Sequence, residues 1–155
     1  ASQLRAASAA LAALRNEMQS LAASLPEYPV VMGMFGVGPV LGPQLMAEIG
    51  DVRRFHSKKA LVAFAGIDAP PYQSGQMEVR SRSISKRGSS ALRRTLFLVM
   101  SVILQRSPAD NPVYQFMDKK RAEGKPYRVY MMASANKFLR IYYATVKHYL
   151  DSLEA

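Results

Sequence analysis

Apolar residues recur every seven positions at the start of the chain: Leu4, Leu11, Met18 and Leu25, with Ala7, Leu14 and Leu21 in the second seam position. A seam with a period of about 3.5 residues predicts a helix that enters a coiled coil or helical hairpin, or that packs as one amphipathic helix on its own domain. Pro26 and Pro29 are expected to end it. The repeat is already under way at the first residues, with no capping residue before it, so an N-terminal part of a longer protein is expected upstream.

The remaining pattern is also helical. Met34-Phe35-Gly36-Val37-Gly38-Pro39 leads into Leu41, Leu45, Met46 and Ile49, a helix expected to stop near Gly50-Asp51. Ser57–Phe64 reads as a short helix with Leu61, Phe64 and Ala65 inward. Ser89 or Ser90 can cap a helix through Leu92, Leu96, Val99, Met100, Ile103 and Leu104, broken at Ser107-Pro108. Asn111-Pro112 starts another helix, with Val113, Phe116 and Met117 inside, that ends near Gly124. The last helix is expected to bury Val129, Met132, Phe138, Leu139, Tyr142, Tyr143, Val146 and Leu150. Between these elements, residues 66–88 are punctuated by Gly66, Asp68, Pro70, Pro71, Gly75 and Gly88, with a short strand or hairpin possible at Met77, Val79 and Arg80. The expected fold is mainly α: a heptad helix over residues 1–27, then a helical domain over 28–155 that contains a helix-hairpin-helix and a long basic loop.

Composition narrows the chemistry. The 155 residues contain no Cys and only two His, His56 and His148, which lie far apart. Disulfide scaffolds, thiolate zinc sites and cysteine nucleophiles are excluded, and a Ser-His-Asp triad or His-rich metal site is disfavoured. The longest apolar run is interrupted by Ser101 and is too short to span a bilayer. No basic segment followed by an apolar core opens the chain, so the reading is intracellular.

The formal charge of +10 suggests a polyanionic partner, most often nucleic acid. Its placement is more informative than its size. Residues 71–95 carry Arg80, Arg82, Lys86, Arg87, Arg93 and Arg94 against Glu78 alone, which is half of the excess in 25 residues. A solvated basic face is the plain alternative. Lys86-Arg87-Gly88 at the start of a helix suits a phosphate clamp, which pairs side-chain charge with helix N-terminal amides. The Gly36–Gly38 turn resembles the hairpin of helix-hairpin-helix DNA-binding modules, in which glycine lets the backbone approach a phosphate. Gly42 and Pro43 depart from that pattern, and an ordinary glycine turn fits equally well.

Two motifs stand out in the basic loop: Tyr72-Gln73-Ser74-Gly75 and Ile84-Ser85-Lys86-Arg87-Gly88-Ser89-Ser90-Ala91-Leu92-Arg93-Arg94. Others accompany them in order: Phe35-Gly36-Val37-Gly38-Pro39, Glu48-Ile49-Gly50-Asp51, Arg54-Phe55, Ala63-Phe64-Ala65-Gly66-Ile67, Ala135-Asn136-Lys137 and Leu139-Arg140. Over roughly residues 30–150 the set resembles the C-terminal domain of the insertion-sequence one-ten transposases, whose N-terminal half is a RuvC-like DEDD domain. The resemblance implies a DNA transposase in which Ser74 acts as the nucleophile alongside metal-bound acidic residues of the other half. Magnesium is then expected in that half and no cofactor in this one. It further implies DNA as partner, a noncoding guide RNA, and a cytoplasmic, DNA-associated prokaryotic protein. A coiled coil between the halves is implied as well, with residues 3–25 as its C-terminal arm and Leu4, Leu11, Leu14, Met18 and Leu21 in a homo-oligomer seam.

Taken alone, the residues support less. Serine is a weak nucleophile that needs a base or metal nearby, and before Gly in a Pro/Gly-rich loop it is most often a turn residue. Ser85 is a competing hydroxyl. Asp51, Asp68 and Glu78 do not form a spaced metal set. The nucleic-acid contacts expected are Gly36, Gly38, Arg80, Arg82, Lys86, Arg87, Gly88, Arg93, Arg94 and Lys137. A non-catalytic binding and dimerisation module is the alternative function.

Overall fold

The computed structural model describes residues 1–69 and 83–155, which form seven α-helices and no strand. They are α1 (Ser2–Ala23), α2 (Tyr28–Met32), α3 (Leu41–Ile49), α4 (Lys58–Ala65), α5 (Ser90–Arg106), α6 (Pro112–Ala122) and α7 (Tyr127–Leu153), with a 3-10 turn at Val52–Arg54 before α4. The mainly α expectation holds.

Side chains that take the first free amides set the helix starts. Ser57 Oγ accepts from Ala60 N, Ser89 Oγ from Leu92 N, and Asn111 Oδ1 from Val113 N and Tyr114 N. Each such cap is worth about 1 kcal/mol. Two helices end in left-handed residues, α4 at Gly66 and α5 at Ser107. Ser107-Pro108 does terminate α5, because Pro108 has no amide with which to continue the ladder.

The core gathers on α7. Met131, Ala135, Phe138, Leu139, Tyr142, Val146 and Leu150 form its buried stripe. Against it lie Leu92, Leu96, Val99, Met100 and Ile103 of α5, Leu61 and Val62 of α4, and Val113 and Met117 of α6. Leu45, Met46 and Ile49 attach α3. Burial and a low local dielectric push the Tyr142 phenol well above its ordinary range, and the charge of Glu27 adds to this.

Three expectations need correction. Val129 is exposed rather than inward, and Met131 takes the core position. Val129 lies two residues, about 200° of helix turn, from Met131, and so falls on the face opposite the buried stripe. Phe116, Phe64, Met132 and Tyr143 are half-buried rather than fully inside. α1 ends at Ala23, before either proline, and Pro29 sits inside α2, where its missing amide costs nothing in a first helical turn.

α1 stands largely free of this body. Ala22 is its buried residue, whereas Leu4, Leu11, Leu14, Met18 and Leu21 are exposed, Leu4 by 72%. Among the described residues no helix is long and apolar enough to cross a membrane.

Candidate nucleic-acid interface

The densest group of predicted contacts lies where the end of α4 meets the start of α5. Residues 85–89 run back along residues 64–68, joined by three backbone bonds. Ser85 N donates to Asp68 O at 2.9 Å, Lys86 N to Gly66 O at 2.9 Å and Ser89 N to Phe64 O at 2.7 Å. The Ser85 hydroxyl donates to Asp68 Oδ1 at 2.6 Å, so this competing hydroxyl is held by a carboxylate. We call this arrangement the clasp.

Two glycines make the clasp possible. Gly66 has φ +68°, and a Cβ there would lie 2.6 Å from Arg93 Nη1 and 2.7 Å from Gly88 N. A methyl on Gly88 would overlap the Phe64 carbonyl oxygen and lie 2.5 Å from its carbon. The backbones are therefore closer than any side chain allows. Between them Lys86 adopts φ 56°, a left-handed conformation uncommon for a residue with a Cβ. Lys86 and Arg87 are exposed.

Ser89 completes the junction. Its hydroxyl caps α5 and donates to Glu48 Oε2 at 3.1 Å, tying in the end of α3. Taking the Leu92 amide leaves those of Ser90 and Ala91 without a partner among the described residues, as an anion site at a helix N-terminus requires. Arg93 is half-buried, and its Nη1 donates to Ala65 O and Gly88 O, both at 3.1 Å. Part of its guanidinium thus secures the clasp. Arg94 is exposed and lines a groove of about 740 Å³ between α1, α3 and α5, with Arg15, Gln44, Glu48 and Ser90.

The structure brings together Lys86, Arg87, Gly88, Arg93 and Arg94 at this junction, and places Gly36 and Lys137 elsewhere. Gly36, with φ +84°, packs on the middle of α5: a Cβ there would meet Ile103 Cγ1 at 2.9 Å and Val99 O at 3.2 Å. At 1.5 Å rise per residue, that contact lies about 14 Å along α5 from Ser90. Gly38 has open space around it. Lys137 sits on α7 with its Nζ 5.4 Å from the Phe116 ring, which Lys120 also approaches at 5.5 Å. Ser74, Arg80 and Arg82 lie outside the described residues, as does the hairpin expected around Met77–Arg80.

Glu48 and Asp68 were given no role from sequence, because their partners lie 41 and 17 residues away and no local signal announces them. Among the described residues no three His, Asp or Glu side chains converge on a site for a metal ion. The described carboxylates and imidazoles do not fit a magnesium ion.

Residues 28–115 match the model of the transposase IS116/IS110/IS902 family. The chain is 30% identical over 133 residues to the pilin gene-inverting protein of Moraxella bovis, covering 85% of this chain and 38% of that protein. It is 32% identical over 111 residues to the mini-circle putative transposase for IS117 of Streptomyces coelicolor, covering 71% of the chain and 26% of the relative. It is 33% identical over 81 residues to the transposase for insertion sequence element IS1111A of Coxiella burnetii, covering 52% and 22%. The chain thus spans well under half the length of these relatives. With the family model covering more than half of it, from α2 through the clasp to α6, the chain belongs to the transposase IS116/IS110/IS902 family.

Proposed function

We propose that this chain is the serine-bearing part of a DNA transposase, and that its clasp presents a phosphate-handling turn for a step in which Ser74 is the nucleophile. The observation that carries the reading is the pinning of Lys86-Arg87-Gly88 at the start of a 17-residue helix. Exposed cations and unpartnered first-turn amides there suit a DNA phosphate, whose charge grows in the transition state of phosphoryl transfer. Asp68 and Ser85 flank the segment that contains Ser74, and their two hydrogen bonds hold its ends together.

In the step proposed, the Ser74 Oγ–P bond forms as a P–O bond of the DNA strand breaks. The serine proton ends on the departing deoxyribose hydroxyl, and a second strand's hydroxyl reverses the step to rejoin. The metal-bound acidic residues that would assist, and a guide RNA that would select the sites, rest on the family resemblance and on regions beyond this chain. Ser74→Ala in the complete transposase is expected to abolish strand cleavage on a labelled element end while DNA binding persists. Cleavage at the native rate would refute the assignment of Ser74.

A second reading is an assembly and binding module without chemistry. The exposed seam of α1 favours it, since five large apolar side chains in heptad register are costly to leave in water. Assembly through α1 is also compatible with the first reading, with α1 joining copies whose clasps act on different strands.

A further inference from the structure

The elbow between α6 and α7 carries a second concentration of positive charge, which neither the family match nor the clasp explains. Lys119, Lys120, Arg121, Lys125 and Arg128 fall within ten residues, and residues 121–129 are all exposed. Lys120 pairs with Glu123 at 2.9 Å and Arg121 with Asp118 at 3.6 Å. Lys119, Lys125 and Arg128 have no carboxylate within 4.0 Å among the described residues.

Helix stability accounts for only part of this group. Cations in the last turn of α6 complement its dipole by about 0.3–1 kcal/mol each, which covers Lys119, Lys120 and Arg121. Lys125 closes that same end of α6, its amide donating to Lys120 O at 3.2 Å, whereas Arg128 sits at the opposite kind of end. Arg128 lies in the first turn of α7, which contains no acidic residue. A cation there opposes the dipole by a similar amount. Charge placed against local stability calls for an outside partner of opposite sign.

Position indicates which partner. Exposed Tyr127 packs edge-on against Phe97 of α5 with ring centroids 6.1 Å apart. Phe97 lies about 10 Å along α5 from Ser90, and Arg94 lies one turn nearer the clasp. The elbow and the clasp are thus both tied to α5, as contact with one extended duplex requires.

We propose that the α6–α7 elbow is a second contact for the backbone of duplex DNA, made by Lys119, Lys125 and Arg128. This rests on the reading that the chain engages DNA, but not on Ser74 as nucleophile. The contact is to phosphates, so it adds affinity and orientation without sequence preference.

The test is a salt titration of binding to a fluorescein-labelled DNA duplex of about three helical turns, followed by anisotropy. In K119Q/K125Q/R128Q the slope of log K against log salt is expected to fall by about 2–3, since each lost phosphate contact removes about 0.9. A charge-matched variant on other surfaces, R5Q/R106Q/K147Q, is expected to change the slope by less than 1. Equal losses in the two triple variants would reduce the effect to net charge and overturn the proposal. An unchanged slope in the elbow variant, with binding lost in K86Q/R87Q, would overturn the elbow and leave the clasp reading standing. No binding by the native chain at low salt would sink both. An elbow effect seen only on single-stranded RNA would also overturn it. The altered side chains are exposed, and matching far-UV circular dichroism confirms that the variants fold.

Discussion

Gly88→Ala is the sharpest probe of the clasp. The added methyl would overlap the Phe64 carbonyl oxygen and sit 2.7 Å from Gly66 N, and both obstacles are backbone. A flexible side chain could move aside, but here the two backbone segments must separate. The bonds Ser89 N to Phe64 O and Lys86 N to Gly66 O would then be lost, each worth about 0.5–1.5 kcal/mol net. Displacing Ser89 would also weaken its cap on Leu92, worth about 1 kcal/mol. The expected cost is therefore about 2–4 kcal/mol, a shift in melting temperature of roughly 5–15 °C for a chain of this size. Urea unfolding followed by far-UV circular dichroism measures it. Gly38→Ala is the control: nothing lies within 4 Å of its added methyl, so its effect should stay within about 0.5 kcal/mol. If Gly88→Ala unfolds at the same urea midpoint as Gly38→Ala, the backbones of the clasp are not in contact and the reasoning fails.

Two further outcomes follow from burial. The Tyr142 phenol is raised in the folded state, so the contribution of this group is complete below the unfolded phenol pKa of about 10 and is lost as pH rises above it. Tyr142→Phe should therefore unfold less readily than the native chain at alkaline pH while matching it within about 1 kcal/mol near neutrality, as read from urea midpoints across pH. The seam of α1 predicts that Leu11, Leu14 and Leu21 changed together to Ser convert an oligomer to monomer in sedimentation velocity. Thermal stability of the rest of the chain should barely change, because all three side chains are already exposed. A variant that sediments as the native chain does would show that the seam is not an interface.

How much of the site was legible varies from residue to residue for physical reasons. Asn111-Pro112 and Ser57 could be read as helix starts because capping acts over two or three residues. Lys86-Arg87-Gly88 before a helical pattern could be read as a basic turn for the same reason. Arg93 was read only as a contact for nucleic acid, and its tie to Ala65 O crosses 28 residues. The Gly36 turn looked like a phosphate loop, but its glycine is demanded by Val99 and Ile103, more than sixty residues on. The elbow cations give no clear local signal because Glu123 and Asp118 dilute them in sequence, whereas in the structure those carboxylates are taken up by Lys120 and Arg121.

By itself the sequence determined the helical class, most helix boundaries, the family and the uneven placement of charge. These depend on local periodicity, capping chemistry and ordered short motifs, all carried by neighbouring residues. The tertiary structure decided which side chain of α7 faces inward at its first turn, where α1 parts from the body, and which glycines serve backbone contact. It also decided which cations remain exposed and unpaired. Those outcomes depend on close packing and charge pairing between segments far apart in the chain, which no local pattern encodes.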